Sequence, residues 1–225
     1  NAKIKNIVKL QKASERKEQG KFIIEGMREI GIALAAGIKL HSFFLCNEMG
    51  HDFPTMQAEV DKYTVSKEVF EKMAYRENSD GCLAVAEIRH CELSEIKLSN
   101  KPFIIVLEGI EKPGNLGAIL RTADAAQVDA VIICDPKTDI YNPNVIRSSV
   151  GCVFTNQVVA CTSEEALLFL TENSIYSYAA ALTATDYYQK TDMAKSCAIV
   201  MGTEADGLSR FWLEKADKQI KIAMR

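Results

Sequence analysis

The chain has no C-x-x-C pair, no G-x-G-x-x-G, only three histidines, one tryptophan and five prolines in 225 residues. Each absence removes a class of protein. The seven cysteines (46, 82, 91, 134, 152, 161, 197) are scattered and odd in number, so they read as reduced thiols of a cytoplasmic protein and not as a disulfide framework. His41, His51 and His90 stand far apart and give no metal-ligand spacing, so no metal is expected. No apolar run approaches the roughly 20 residues of a membrane span, and the basic start lacks the apolar core of a signal peptide. Without the glycine fingerprint, a nucleotide-dependent oxidoreductase on an ordinary doubly wound sheet is disfavoured. An excess of positive charge is missing too. The formal net charge of −3 does not advertise a nucleic-acid partner, although local charge matters more than the total.

What is present suits one large domain or two small ones, with 48% hydrophobic residues available for a core. The opening is locally basic: Lys3, Lys5, Lys9, Lys12, Arg16, Lys17 and Lys21 face only Glu15 and Glu18. Such a run is a solvated helix face or an RNA footprint. Residues 1–19 read as helix closed by Gly20, Phe22–Ile24 as a strand, Met27–Ala36 as a helix closed by Gly37, and Ile38–Cys46 as a strand. Ser66 caps a predicted helix to Ala74, and Cys82–Ile88 is an apolar strand. Residues 1–91 therefore form a small α/β domain. Glu92–Lys101 is polar, precedes Pro102, and reads as a linker.

From Pro102 to Arg225 strands alternate with helices, which predicts a parallel sheet covered on both faces. The stretch Pro113–Ala123 organises this half. An apolar strand, Phe103–Leu107, runs into a polar loop, a Pro113-Gly114 turn signal, a candidate N-cap at Asn115 and an Ala/Leu/Ile-rich helix. Backbone N–H groups point outward at such a helix start and receive anions. Arg121 lies six residues beyond Asn115; it also stands i, i+3 from Asp124, a spacing that suits a surface ion pair. A second strand, Ala198–Met201, enters the glycine-bearing loop Gly202–Leu208, and Ile220–Met224 alternates as a short final strand. Sheets of this kind bind ligands beyond the carboxyl ends of their strands.

Three segments carry a resemblance. Asn115-x-Gly117-Ala118-Ile119-x-Arg121-Thr122-Ala123, Met201-Gly202-Thr203-Glu204-x-x-Gly207-Leu208 and Ile222-Ala223-Met224 resemble the three motifs of the SpoU (TrmH-like) family of RNA ribose 2′-O-methyltransferases, in the SPOUT superfamily. Two departures stand out. Ala223 replaces the usual proline, and the sequence stops at Arg225, before the Ser-Leu-Asn segment with which the family's last motif continues.

The resemblance implies a C-terminal SPOUT domain of the trefoil-knot type behind an N-terminal substrate-binding domain similar to ribosomal-protein-like RNA binders. It implies S-adenosylmethionine as cofactor, rRNA or tRNA as substrate, and a homodimer whose subunits complete one another's sites. Carried over residue by residue, it makes Arg121, Asn115 and Glu204 catalytic and places Gly202, Met201, Ile222 and Met224 against the cofactor. A guanidinium is a poor base near neutral pH. Arg121 is therefore expected to clamp an RNA phosphate and stabilise the developing alkoxide, with Glu204 organising the loop and Arg121. Arg16, Arg28 and Arg76 are the RNA-contact candidates; for Arg76, a loop ion pair with Glu77 or Asp80 is the competing role. The rival reading of the whole is an inactive RNA-binding protein of the same fold.

Overall fold

The structure, a computed structural model, describes residues 2–55 and 59–223. The chain divides into two compact units. One comprises Asn1–Arg89 with Leu116–Ala118 and Asp139–Thr155; the other comprises His90–Asn115, Ile119–Thr138 and Asn156–Arg225.

In chain order the first unit runs α1 (Ala2–Lys9), α2 (Ala13–Gln19), β1 (Lys21–Glu25), α3 (Met27–Ala35), β2 (Leu40–Leu45), β3 (Asp61–Thr64), α4 (Lys67–Met73) and β4 (Cys82–Glu87). After the linker come β5 (Phe103–Glu108), α5 (Pro113–Ala125), β6 (Ala130–Cys134), α6 (Pro143–Ser148), α7 (Cys152–Thr155) and β7 (Val158–Cys161). The chain continues through α8 (Ser163–Glu172), β8 (Tyr176–Ala180), β9 (Cys197–Met201), α9 (Arg210–Lys215) and β10 (Lys218–Ile220).

The first unit is built on a mixed sheet in the order β1-β4-β2-β3, with only the β2–β3 pair parallel. The predicted single helix over 1–19 is two helices, broken where Leu10 turns inward and is wholly buried. Gly20 closes α2 at φ 62, a left-handed conformation that glycine adopts at little cost. Strand β3 was invisible in the sequence because its residues, Asp-Lys-Tyr-Thr, are half or fully exposed and carry no apolar alternation.

The second unit is a sheet of six parallel strands, β10-β8-β9-β5-β6-β7. Every residue of β6, Ala-Val-Ile-Ile-Cys, is buried, as expected for a strand covered on both faces. Trp212 on α9 is also wholly buried; its indole N–H donates to Ser163 Oγ at 3.1 Å, so its one polar atom is satisfied. This is the α/β parallel-sheet architecture anticipated for the C-terminal half; the N-terminal α/β unit is separate.

Candidate active site

Four neighbouring strands, β10, β8, β9 and β5, lie side by side and point the same way, so their carboxyl ends form one edge. The loops leaving that edge carry the first two motifs and Ile222-Ala223 of the third. After β5, Gly109 adopts φ 62 and the chain crosses to α5. The helix starts earlier than Asn115: Lys112 occupies the cap position and Pro113 the first turn, where proline's fixed φ fits and its missing N–H is no loss. Asn115 is thus inside the first turn, with its side chain free to reach outward.

After β9 the motif-two loop folds back on itself. Thr203 and Gly207 form a small antiparallel bridge, with backbone bonds of 2.9 and 3.1 Å. Thr203 Oγ1 accepts from the Asp206 N–H at 3.0 Å. A Cβ on Gly202 would stand 2.1 Å from the carbonyl carbon and oxygen of Gly207. The glycine is therefore demanded by the protein's own backbone, before any cofactor approaches. This demand is separate from the cofactor contact that the resemblance gives Gly202.

The two loops meet. The Asn115 side-chain amide donates to Glu204, and the Lys112 ammonium donates to the other oxygen of the same carboxylate. A Cβ on Gly109 would lie 3.0 Å from Thr203 Cγ2, so the loop bases pack as closely as their tips. The Glu204 hydrogen bond and charge hold the Lys112 amine above its usual pKa. Glu204 is bound to Asn115 and Lys112, not to Arg121 as the sequence suggested. Lys112 had no sequence signal; its role appears only once the loops converge.

Arg121 leaves α5 six residues after Asn115, about 9 Å further along the helix axis. It is exposed, and no described residue hydrogen-bonds or ion-pairs with its side chain, Asp124 included. Helical side chains lean toward the N-terminus, so the guanidinium is carried back in the direction of the Pro113 turn.

On the other flank, β8 and β10 end in register at Ala180 and Ile220. Two residues past each end, Leu182 is 76% and Ile222 41% exposed. Two aliphatic side chains thus stand in water at the same sheet edge as the motif-two loop, a surface suited to a flat apolar ring. Met201 is half-buried at the strand end. Met224 lies outside the described residues. The final strand is anchored beyond β8: Lys221 N–H donates to Asp186 O at 2.7 Å, and Tyr188 N–H to Lys221 O at 3.0 Å.

The three RNA-contact candidates fare differently. Arg28 is exposed on α3. Arg16 is 1% exposed, with Nε on Asp139 Oδ2 at 2.5 Å and Nη1 on Leu10 O at 2.8 Å, so its side chain is committed to the interior. Arg76 pairs with Glu29 at 2.9 Å, and its backbone N–H leans on Glu25. It is a partly buried ion pair, though with neither Glu77 nor Asp80.

A cavity of about 350 Å³ lies at the opposite, amino edge of the second sheet, lined by Ile175, Ser177, Lys195 and Asp217 among others; no motif residue reaches it. Among the described residues one trio with metal-binding chemistry comes together, His51, Asp80 and Cys82, with ligand atoms within 4.8 Å of one another. Both Asp80 oxygens already accept backbone N–H groups, from Met27 at 2.7 Å and Cys82 at 3.3 Å, so the carboxylate is satisfied without an ion.

Comparison with known proteins now bears on this geometry. Residues 102–225 match the model of the SpoU rRNA Methylase family, and residues 1–84 match the MRM3-like substrate binding domain. The chain is 28% identical to the 23S rRNA (guanosine(2553)-2′-O)-methyltransferase RlmP of Bacillus subtilis, covering 100% of this chain and 88% of that one. It is 30% identical to an uncharacterised tRNA/rRNA methyltransferase of Synechocystis, covering 99% and 82%. A crystal structure of an RNA 2′-O ribose methyltransferase superposes at TM-score 0.85 with 36% identity, over 100% of this chain and 88% of that chain. The SpoU methyltransferase AviRb of Streptomyces viridochromogenes, solved with AdoMet, superposes at 0.90; at 20% identity over 100% and 89%, it shows the shared fold. With one family model spanning more than half its length, the chain belongs to the SpoU rRNA methylase family.

Proposed function

We propose that this protein transfers the methyl group of S-adenosylmethionine to a ribose 2′-hydroxyl of structured RNA. The observation that carries the reading is the Asn115–Glu204 contact, which draws the motif-one and motif-two loops together at the carboxyl edge of the sheet; Arg121, on the same helix as Asn115, has no partner among the described residues. RNA of the 23S class is the first substrate to try, because the Bacillus relative is named for it.

The residues present fit the cofactor. Exposed Leu182 and Ile222 offer apolar faces to its adenine, and the backbone of Met201 and Gly202 lines the edge between them and Glu204. When bound, it supplies an activated methyl group for in-line displacement. Aligning donor and hydroxyl accounts for roughly 7–11 kcal/mol of barrier lowering in well-oriented systems. Arg121 grips an RNA phosphate with its planar fork and stabilises negative charge growing on the 2′-oxygen. Asn115 and Lys112 hold Glu204, and with it the motif-two loop, in place.

Residues 1–91 act as the RNA-binding domain, 92–101 as linker and 102–225 as catalytic domain, with Arg28 the best placed of the three arginines to meet RNA. Two copies assemble as a dimer, as the resemblance implies; sedimentation tests this separately. Incubating the protein with methyl-labelled S-adenosylmethionine and ribosomal RNA, then mapping alkali-resistant linkages, tests the activity. Label at one ribose supports the reading. RNA retention with no label, at cofactor concentrations that bind, leaves the inactive RNA binder instead.

A further inference from the structure

The strands β6 and β7 end on two cysteines placed side by side. Cys134 and Cys161 are partners in the parallel register, so their side chains leave the same face of the sheet on adjacent strands. Neighbouring strands lie about 4.8 Å apart, inside the Cα range of roughly 4.4–6.8 Å that a disulfide spans. Cys134 is wholly buried, while Cys161 is half-buried and open to small reagents. The remaining five cysteines are also free thiols.

We propose that Cys134 and Cys161 are a peroxide-responsive pair that closes to a reversible intrachain disulfide. The two thiols are pushed apart in acidity. Cys134 acts as proton donor, and its hydrogen bond holds the Cys161 thiol below the usual value, against opposing effects of burial and of Glu165 and Asp135. The Cys134 thiol is correspondingly raised, by that hydrogen bond and by burial. Cys161 is thus the attacking sulfur and Cys134 the resolving one.

The chemistry balances. The Cys161 thiolate attacks hydrogen peroxide, the O–O bond breaks, and hydroxide leaves, giving a sulfenic acid. The Cys134 sulfur then attacks that sulfur, the S–O bond breaks, and the departing hydroxide takes the Cys134 proton as water. Two thiols are oxidised, one peroxide is reduced, and two waters form. The pair sits beside the motif-one loop: the Cys134 carbonyl accepts the Gly109 N–H at 2.9 Å, and Cys134 is in register with Glu108. Closing the bond therefore reaches the strand end from which Lys112 and Asn115 are presented.

The test is peptide mapping of the full chain after stoichiometric hydrogen peroxide, alkylation and digestion. The expected result is one cross-linked peptide pair containing Cys134 and Cys161, two hydrogens lighter than the sum of the free peptides and released by dithiothreitol. Cys134→Ala should instead leave Cys161 as a sulfenic acid that dimedone traps. Should that variant fail to fold, the wild-type map still decides. Sulfinic acid at Cys161 with Cys134 alkylatable after unfolding, or both thiols surviving while others oxidise, would overturn the proposal.

Discussion

The side-chain amide of Asn115 donates to the carboxylate of Glu204, tying together two loops 89 residues apart in sequence. The same carboxylate takes the Lys112 ammonium. The Glu204 side chain is 57% exposed, so the contact adds little to global stability; its weight is positional. Glu204→Ala should therefore lower methyl transfer about 100-fold, the scale of a misplaced catalytic loop, while moving the melting temperature by no more than a degree or two. Glu204→Gln keeps an acceptor for Asn115 and loses the charge for Lys112, so its loss should be intermediate. Single-turnover rates beside thermal melts check both. An equal loss of folding and rate would make Glu204 a structural residue.

Gly202 separates two explanations of a glycine. The resemblance places it against the cofactor. In the structure a Cβ there would collide with Gly207 at 2.1 Å, within its own loop. Gly202→Ala should then displace the motif-two loop even without cofactor. Its signature is altered backbone amide signals over 203–208 in the free protein, along with at least a tenfold weaker cofactor by calorimetry. Unchanged signals in the free protein with weakened binding would mean that the glycine serves the cofactor and not the loop.

Arg121 presents the opposite situation, a long charged side chain with no described partner. Removing it disturbs no contact, so Arg121→Ala should leave melting and cofactor affinity unaltered and depress methyl transfer about 1,000-fold, the range for one transition-state donor. Arg121→Lys keeps charge without the bidentate fork and should recover only a part. A matching fall in cofactor affinity would place the residue in the cofactor pocket and not over the RNA.

The parallel sheet was legible because β5, β6 and β9 are short uninterrupted apolar runs. The motif residues could be named from their spacing. Their partners could not: Asn115 passed for a cap because the turn signal preceded it, whereas Pro113 claimed the first turn. Lys112 was silent because a lysine before a proline has no pattern. The break between α1 and α2 was missed since Leu10 fits the apolar stripe of a continuous helix as well as it fits a buried corner.

Cys82 offers a pH test. It is wholly buried, and burial together with nearby Asp80 pushes its thiol up to about 12 from 9.0. The folded state keeps this proton where the unfolded chain releases it. The sign follows: the contribution to stability is complete below about pH 9 and is lost as pH climbs from there toward 12. Native alkylation at pH 8.5 should accordingly modify Cys161 well ahead of Cys82, while denatured protein shows no such order. Melting should fall above pH 9 in the wild type and less steeply in Cys82→Ala. Rapid native labelling of Cys82 at pH 8.5 would contradict this.

Arg16 is the clearest case in which the sequence pattern and the fold part company. It lies in the most basic stretch of the chain, yet 1% of its surface meets water, and Asp139 and the Leu10 carbonyl accept from its Nε and Nη1. Removing one member of a buried ion pair leaves the other uncompensated, at a cost of about 3–5 kcal/mol. Asp139 keeps 26% of its side chain exposed, which solvates the orphan and reduces the loss to roughly 2–3 kcal/mol. Arg16→Ala should therefore lower the denaturant midpoint clearly, and RNA affinity only as far as the folded fraction falls. Arg28→Ala, from an exposed position, should do the reverse: unchanged stability, weaker RNA binding, and a shallower salt dependence by about one phosphate contact. If Arg16→Ala weakened RNA binding under conditions where it is fully folded, the buried pair would have to open during recognition, and the assignment of these two arginines would be exchanged.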